Sequence, residues 1–274
     1  HDFIRSLGDI SSRNEWAELI FRFIQKSNYS LHDMFNSRVG LNPDKALFTE
    51  YIAGREVSKS YQRVDIYTRE IAAALLDLSK GNPNCAIFCE NSSDSASIDL
   101  ACLFYDIFVT PLNVNFNEKI LKSILDQIDI DLFITDTKER IERLRKLREV
   151  SGKEFIIITI NEKININGKN EFYLKELITR LSNEKIVYNL ETRSRKALDD
   201  VATLMFTSGS TGIPKGIAFS IYNLVSKRFA RGAALPDVGK DEKLLCYLPL
   251  FHTFGRYLEM LGMIYWNGTY VFTG

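Results

Sequence analysis

One short segment of the sequence combines small, hydroxyl-bearing and cationic residues in a single run. Residues 204–216 read Leu-Met-Phe-Thr-Ser-Gly-Ser-Thr-Gly-Ile-Pro-Lys-Gly, so an apolar segment leads directly into the run. Glycines let backbone N–H groups approach an anion closely, hydroxyl groups donate without bulk, and the ammonium of Lys215 adds a mobile positive charge. Such groups bind the phosphates of a nucleotide, and the segment therefore predicts a phosphate-binding loop.

The predicted phosphate-binding loop differs from two common nucleotide-binding motifs. In the Walker motif a Ser or Thr follows the lysine, whereas Gly216 follows Lys215 here, and the nicotinamide fingerprint does not fit either. A solvent-exposed linker is the alternative interpretation of such a run, but an embedded Pro-Lys-Gly after an apolar strand favours the phosphate site. The residues predicted to bind the nucleotide are Thr207, Ser208, Gly209, Ser210, Thr211, Gly212, Pro214, Lys215 and Gly216.

Apolar strands and amphipathic helices alternate on both sides of this loop. Strands are predicted over residues 85–89, 109–112, 132–135, 155–159, 202–206, 244–248 and 269–273. Helices are predicted over residues 61–78, 94–108, 118–127, 138–150, 174–181, 222–231 and 256–265. The polar residues 161–170 are predicted to form a surface loop, and the region before residue 80 to be helical. Repeated strand–helix units predict an α/β fold of mostly parallel sheets flanked by helices.

Charge and cysteine content narrow the functional classes. The 274 residues include 35 basic and 35 acidic side chains, so no global field favours nucleic acid or anionic lipid. The basic run at residues 138–149 also holds acids and an inward-facing apolar stripe of Ile141, Leu144 and Leu147, which indicates a solvated helix. The four cysteines lie in apolar contexts without metal-ligand spacing, which indicates buried free thiols and a cytoplasmic protein.

The N-terminal residues contain an amphipathic stretch. Residues 1–25 mix charges throughout, unlike a signal peptide or a membrane span. Trp16, Leu19, Ile20 and Phe23 would lie on one side of a helix over residues 16–24. Packing on the domain is favoured over a membrane surface, so membrane contact is expected to be peripheral at most.

The loop and two other segments resemble one protein family. Residues 207–216 resemble the signature loop of the adenylate-forming superfamily, which includes acyl-CoA synthetases, luciferases and the adenylation modules of peptide synthetases. Residues 100–113 are similar to the helix-then-strand segment that precedes the loop in that family. Residues 247–255, Tyr-Leu-Pro-Leu-Phe-His-Thr-Phe-Gly, are similar to the segment whose histidine faces the acyl pocket. The chain looks most like the N-terminal part of a long-chain fatty-acid acyl-CoA synthetase.

This resemblance implies an incomplete N-terminal domain of an acyl-CoA synthetase-like fold. The implied parts are a helical region at about residues 1–80, a first α/β subdomain at about 84–220 that ends in the phosphate loop, and the start of a second at about 221–274. The C-terminal domain of the family is expected to be absent, and its Tyr-Gly-x-Thr-Glu and Thr-Gly-Asp patterns do not occur here. Ile221 stands where the family usually has a histidine.

The resemblance also implies an activity. The enzyme would use ATP to activate a carboxylic acid as an acyl-adenylate, and a fatty acid is the expected substrate. The acyl group would then pass to coenzyme A, with ATP, Mg²⁺ and coenzyme A as cofactors. Lys215 is the implied catalytic residue, because its ammonium would offset charge on the leaving pyrophosphate. His252, Phe254 and Gly255 are the implied substrate-binding residues, with Tyr257 at the same cavity, and no residue is expected to bind a metal ion.

Several alternatives stay open at this point. The chain resembles the adenylation part of a peptide synthetase or of a carboxylic acid reductase as well, and a non-catalytic nucleotide-binding remnant would share the same loop. The expected partners are a small-molecule acid, a nucleotide and the missing C-terminal part of the same chain, without nucleic acid. The chain alone is expected to be inactive.

Overall fold

The computed structural model describes residues 2–192, 195–207 and 214–273. Within these ranges the helices are α1 (Asp2–Ser6), α2 (Ile10–Ser27), α3 (Leu31–Leu41), α4 (Tyr61–Ser79), α5 (Ser93–Phe104), α6 (Glu118–Leu125), α7 (Lys138–Ser151), α8 (Leu174–Thr179), α9 (Asn183–Glu191), α10 (Ile221–Ala234) and α11 (Leu261–Trp266), with a π-helix at Phe254–Met260. The strands are β1 (Ala46–Ile52), β2 (Arg55–Ser60), β3 (Asn84–Phe88), β4 (Phe108–Pro111), β5 (Leu132–Thr135), β6 (Ile156–Thr159), β7 (Glu171–Tyr173), β8 (Val201–Thr207), β9 (Lys215–Ser220), β10 (Lys243–Cys246) and β11 (Thr269–Phe272).

The larger sheet has seven strands in the order β7-β6-β5-β3-β4-β8-β9. Every neighbouring pair is parallel except β8 and β9, which form an antiparallel hairpin. From β3 the chain moves through α5 to β4 on one side, and then through α6 to β5 on the other side. The direction of strand addition therefore reverses beside β3, and such a switch point opens a crevice at the carboxyl ends of the strands. The predicted α/β fold with mostly parallel sheets is confirmed.

Helices cover both faces of this sheet. In β3, Cys85 and Ile87 belong to one core cluster together with residues of α4 and α5. Ala86 and Phe88, which alternate with them, belong to a second cluster with residues of α6 and α7. A strand that is buried on both faces is apolar along its whole length, which is why this pattern was readable from the sequence.

The smaller sheet has four strands in the order β10-β11-β1-β2. It joins distant parts of the chain, because β1 is parallel to β11 with Phe48 opposite Tyr270. The hairpin between β1 and β2 turns at Ala53 and Gly54, which have positive φ angles of 49° and 75°. The expectation of a helical region before residue 80 is therefore wrong for residues 46–60, which form the β1–β2 hairpin, and β1 pairs in turn with the distant β11. The division into subdomains near residues 80 and 220 stays a prediction.

Most predicted elements are confirmed, with a few corrections. The strand at Leu132–Thr135 and the helix α7 are found where they were predicted, and Ile141, Leu144 and Leu147 are buried. Besides β1 and β2, three elements were missed, namely β7, β9 and α9; no residue of α9 is fully buried, although its Leu190 packs against the core. The predicted helix over residues 256–265 begins as a π-helix. All four cysteines are buried and unpaired, as predicted.

Helix α2 packs on the domain, in agreement with the favoured interpretation. Its buried residues are Ala17 and Ile24, and the ring of Trp16 lies 6.2 Å from that of Phe229 in α10. The predicted apolar stripe is partly wrong, because Leu19 is 63% exposed and Phe23 54% exposed. The buried face is centred on the smaller Ala17 instead. In the described part of the chain, no helix has the length and apolar character that a membrane span requires.

Candidate functional site

The β8–β9 hairpin holds the two ends of the predicted phosphate loop together. Thr207 ends β8, Lys215 begins β9, and the two residues are paired in register. The hydroxyl of Thr207 donates to the Lys215 carbonyl oxygen at 3.4 Å. The predicted loop residues between them, Ser208, Gly209, Ser210, Thr211 and Gly212, lie outside the described residues. The structure therefore fixes where the loop leaves the sheet and where it returns.

Lys215 presents an ammonium that no described group neutralises. The residue is exposed, and among residues 2–192, 195–207 and 214–273 its side chain has no ion pair or hydrogen bond. Pro214 beside it is buried, and its carbonyl oxygen accepts a hydrogen bond of 3.2 Å from Gln127 Nε2. This bond ties the returning chain to the end of α6. An unpaired cation at the foot of a hydroxyl- and glycine-rich loop suits a polyanionic ligand.

Gly216 serves the packing of the hairpin. A Cβ atom at this position would lie 3.2 Å from Leu204 Cδ2 and 3.3 Å from Phe206 Cε1. The glycine therefore lets the side chains of β8 lie against the backbone of β9. This contact explains the residue type without a ligand, while its predicted role in nucleotide binding stays a prediction.

The strand that leads into the loop is anchored to its neighbour by side chains. The Thr110 hydroxyl in β4 donates to the Leu204 carbonyl oxygen at 3.0 Å, and the Thr203 hydroxyl donates to the Val109 carbonyl oxygen. Both threonines are fully buried. These bonds fix the register of β8 against β4. The loop therefore begins at a defined position on the carboxyl edge of the sheet.

Asn91 holds the second predicted site segment against the same edge. It follows β3 at the switch point, and its Nδ2 atom donates to the Leu248 carbonyl oxygen at 2.8 Å. The Leu250 N–H donates to Asn91 Oδ1 at 2.9 Å, so a single amide side chain binds two backbone groups of one segment. A small cavity under the segment is lined by residues from the ends of β3 and β4, from α5 and from the segment itself, namely Ile87, Cys89, Ser95, Asp99, Pro111, Leu112, Leu250 and Phe251.

The predicted acid-binding residues divide between two environments. His252 is exposed, its ring stacks on that of Phe254 at 5.9 Å, and its Nδ1 atom accepts from the Phe254 N–H at 3.3 Å. Gly255 is buried, and a Cβ atom there would lie 2.5 Å from the Pro249 carbonyl oxygen. Tyr257 lies elsewhere, with its ring 4.5 Å from that of Phe219. His252 and Phe254 therefore form one exposed surface, which Tyr257 does not share.

Sequence reasoning missed a buried ion pair beside this segment. Arg256 is 0% exposed and Asp99 in α5 is 3% exposed, and Arg256 Nε donates to Asp99 Oδ2 at 2.7 Å. Burial lowers the pKa of the Arg256 guanidinium, but the Asp99 carboxylate outweighs burial and the net shift is upward. The guanidinium of Arg256 is therefore held in its charged form beside Asp99. The signal that could have revealed it was Asp99 at the start of the apolar second half of α5, between Ile98 and Leu100.

The described residues offer no ready-made metal site. In the part of the chain that the structure describes, no group of three or more His, Cys, Asp or Glu side chains could hold a metal ion. The site thus consists of the cation and hydroxyl at the ends of the phosphate loop and the exposed His252–Phe254 pair. Both stand on segments fixed at the carboxyl edge of the larger sheet.

Comparison with known proteins gives the family and the fold of the chain. The family model described as AMP-binding enzyme matches residues 35–274. Human long-chain-fatty-acid–CoA ligase 1 is 26% identical over 221 residues, which are 73% of this chain and 30% of the ligase. The nonribosomal peptide synthetase gloA of Glarea lozoyensis is 25% identical over 84% of this chain and 3% of that protein. The ATP-bound crystal structure of MatB from Rhodopseudomonas palustris has the same fold, with a TM-score of 0.68 at 19% identity over 89% of this chain and 45% of MatB.

Proposed function

Since the chain belongs to the family of AMP-binding enzymes, we propose that it is the N-terminal part of an enzyme that activates a carboxylic acid with ATP. The acid carboxylate attacks the α-phosphorus of ATP, pyrophosphate leaves, and an acyl-adenylate forms. A fatty acid as substrate and coenzyme A as the acceptor are proposed from the human ligase. The chain spans about 30% of that ligase, so turnover by this chain alone is not expected.

The observation that carries the proposal is the convergence of two segments at one edge of the sheet. The β8–β9 hairpin brings Thr207 and Lys215 to the carboxyl edge, and Asn91 clamps the segment of His252 over the ends of β3 and β4. A nucleotide and an acid bound at these places would meet at the switch point of the sheet, where open α/β sheets bind ligands.

Lys215 and Thr207 would bind the departing phosphates. Two anions must approach each other in this reaction, so most of the catalytic effect comes from positioning and charge compensation. The ammonium of Lys215, which has no partner among the described residues, would offset charge on the leaving pyrophosphate, and the Thr207 hydroxyl would add a donor. The loop residues 208–212 are proposed to supply further backbone and hydroxyl donors. No protein nucleophile is required.

His252 and Phe254 are proposed to contact the acid. Their stacked rings form an apolar surface with one polar edge, which suits an acyl chain that ends in a carboxylate. Gly255 would contribute through its backbone. Its close approach to Pro249 sets the direction of the chain that follows His252 and Phe254. His252 is assigned to the wall of the acid site and not to proton transfer.

The proposal also includes a metal ion, the rest of the enzyme and a location in the cell. Mg²⁺ would accompany the phosphates of ATP and offset their charge, and the roles of Lys215 and Thr207 do not depend on it. The C-terminal part of the enzyme would complete the site. We propose a cytoplasmic location, supported by four buried free thiols, and membrane contact that is peripheral at most.

Activation of an amino acid is the second candidate, because a peptide synthetase is among the relatives. Acid-dependent exchange of labelled pyrophosphate into ATP, measured on the full-length enzyme, separates the two. Exchange with long-chain fatty acids and not with amino acids is expected. Exchange with amino acids alone would favour the second candidate, and no exchange with any carboxylic acid would contradict both.

A further inference from the structure

A buried network joins three elements of the site. Arg256 in the π-helix donates from Nε and Nη2 to the two carboxylate oxygens of Asp99 in α5. Its Nη1 atom donates to Thr203 Oγ1 in β8 at 2.7 Å, and to the hydroxyl of Tyr257 at 3.2 Å. The guanidinium is therefore bonded to α5, to β8 and to the neighbouring Tyr257 of its own π-helix. Arginine is suited to this arrangement because its five donors have fixed directions.

Stability alone is a poor explanation for such a network. Two charges lose their hydration when they are buried, and the attraction between them often does no more than compensate for that loss. Apolar residues of similar volume in the same place are frequently as stable as the pair or more stable. A buried bidentate pair does, however, impose one geometry on the elements it joins, because any displacement leaves a buried charge without its partner.

The residues of this network lie close in sequence to both predicted parts of the site. Arg256 is the fourth residue after His252 in sequence, and its N–H donates to the His252 carbonyl oxygen at 3.1 Å. Thr203 lies in the same strand as Thr207, and its hydroxyl continues the chain of hydrogen bonds to Val109 in β4. One guanidinium thus connects the acid-binding segment to the strand that ends at the phosphate loop.

The local conformation supports the same conclusion. Phe254–Met260 is a π-helix, a rare conformation that frequently occurs at functional sites. Such a wider helical turn persists where the surrounding structure holds it in place. Here the side chain of Arg256, within the π-helix, is bound by residues of α5 and β8. The first residue of this π-helix, Phe254, is the one that stacks on His252. A change in the π-helix would therefore move the acid-binding surface directly.

We propose that Arg256 is a positioning residue, which through Asp99 and Thr203 sets the acid-binding surface of His252 and Phe254 relative to the phosphate-binding hairpin. The proposal rests on the proposed function for the meaning of the two surfaces. Arg256 itself is buried and contacts neither the acid nor the nucleotide. Its effect is expected on the acid side, because β8 is also held by β4 and β9 whereas the π-helix has fewer backbone ties.

The test uses the full-length enzyme with Arg256→Met and Asp99→Leu combined. This change removes both charges together, so no buried charge is left unpaired and the protein is expected to fold. In pyrophosphate exchange, the KM for the acid is expected to rise by about tenfold to a hundredfold, while the KM for ATP changes by less than about twofold. A purely structural role would not separate the two constants.

A second bidentate pair provides the matched control. Arg145 in α7 donates to both carboxylate oxygens of Glu171 in β7, at 2.7 and 2.6 Å, at the far edge of the same sheet. Arg145→Met with Glu171→Leu is expected to leave both KM values unchanged. Should the Arg256 double variant fail to fold, Thr203→Val, which removes one acceptor, is expected to raise the KM for the acid by about threefold.

The outcomes separate this inference from the proposed function. If the wild-type enzyme shows exchange and neither the double variant nor Thr203→Val alters the KM for the acid, the positioning role is overturned. The role is also overturned if both KM values rise equally. If the wild-type enzyme shows no exchange with any acid, the proposed function fails. Hydrogen–deuterium exchange then still tests the geometry, because the variant should expose residues 251–260 and leave residues 201–207 protected.

Discussion

The two sheets of this protein are built in opposite ways. In the seven-stranded sheet, β3 to β6 follow one another along the chain with a helix between each pair. The four-stranded sheet pairs Ala46–Ile52 with Thr269–Phe272, from opposite ends of the described chain. The nucleotide side of the proposed site stands on the first sheet, and the acid side follows β10 of the second. Most strands and helices of the seven-stranded sheet could therefore be predicted from the sequence. The four-stranded sheet depends on contacts between residues that lie far apart along the chain.

The two halves of the site are also held differently. Backbone pairing within a hairpin brings Thr207 to Lys215, and the hydroxyls of Thr110 and Thr203 only add to the pairing of β8 with β4. The acid side depends on side chains, since Asn91 binds the segment before His252 and Arg256 binds the π-helix after it. Single substitutions are consequently expected to disturb the acid side more readily than the frame of the nucleotide side.

The largest expected effect on stability comes from removing a core ring of the four-stranded sheet. Phe48 in β1 is 0% exposed and lies 5.5 Å from the ring of Phe272. Phe48→Ala should lower the free energy of unfolding by about 3–5 kcal/mol, and Phe133→Ala in the seven-stranded sheet should lower it by a similar amount. Denaturant unfolding measures both. Tyr51→Ala, at a position that is 51% exposed, is the control, and a Phe48→Ala cost as small as that of Tyr51→Ala would show that the smaller sheet is not part of the core.

Acid pH should weaken the contact between helix α3 and helix α5, which covers one face of the seven-stranded sheet. His32 in α3 stacks on Phe104 in α5 at 5.3 Å, and burial lowers its pKa to about 4, while Asp33 raises the pKa and Arg195 and Arg69 lower it. Between pH 6.5 and 4 the unfolded state binds more protons, so stability falls on acidification, by up to about 3 kcal/mol from this group.

The measurement for this prediction is the unfolding free energy as a function of pH, compared between the wild type and His32→Phe. The variant keeps an aromatic ring in the stack and cannot titrate. Its stability should therefore fall less steeply between pH 6.5 and 4. Parallel curves for the two proteins would show that His32 is protonated in the folded state as readily as in the unfolded one.

A smaller effect is expected for the clamp on the acid side. Asn91→Ala removes two hydrogen bonds to the segment 248–250 and should cost about 1–2 kcal/mol of stability. Asn189→Ala, which removes bonds to the Ala73 carbonyl oxygen and to Asp77 outside the acid side, is the control. The clamp predicts a higher KM for the acid in the first variant alone, measured by pyrophosphate exchange. If both variants behave alike, Asn91 does not define the acid side.

The smallest effect is a gain in stability. Arg228 in α10 is 4% exposed, its Nε and Nη1 atoms have no partner among the described residues, and burial lowers its pKa to about 9. Arg228→Met should raise the unfolding free energy by about 1 kcal/mol, because a buried unpaired charge is removed. Arg231→Met should do the reverse, since Arg231 donates to the Leu258 carbonyl oxygen at 2.9 Å. A loss of stability in Arg228→Met would mean that the guanidinium is satisfied.

What the sequence could predict follows the same division between local and distant contacts. The strand Leu132–Thr135 and the helix α7 were predicted because apolar periodicity is a local property. Strand β1 pairs with β11 from far along the chain, and neither β1 nor its hairpin partner β2 was predicted. A π-helix has no periodicity that separates it from an α-helix at this length. Lys215 and His252 could be selected by motif. Asn91 and Arg256 could not, since their importance lies in hydrogen bonds to residues far along the chain.

The most direct test of the central claim is pyrophosphate exchange by the full-length enzyme with Lys215→Ala, with Lys26→Ala in α2 as the matched control. If the unpaired ammonium of Lys215 stabilises the leaving phosphates, exchange should fall at least about a hundredfold with Lys215→Ala and stay unchanged with Lys26→Ala. An unchanged exchange rate in Lys215→Ala would contradict the assignment of the β8–β9 hairpin as the phosphate site.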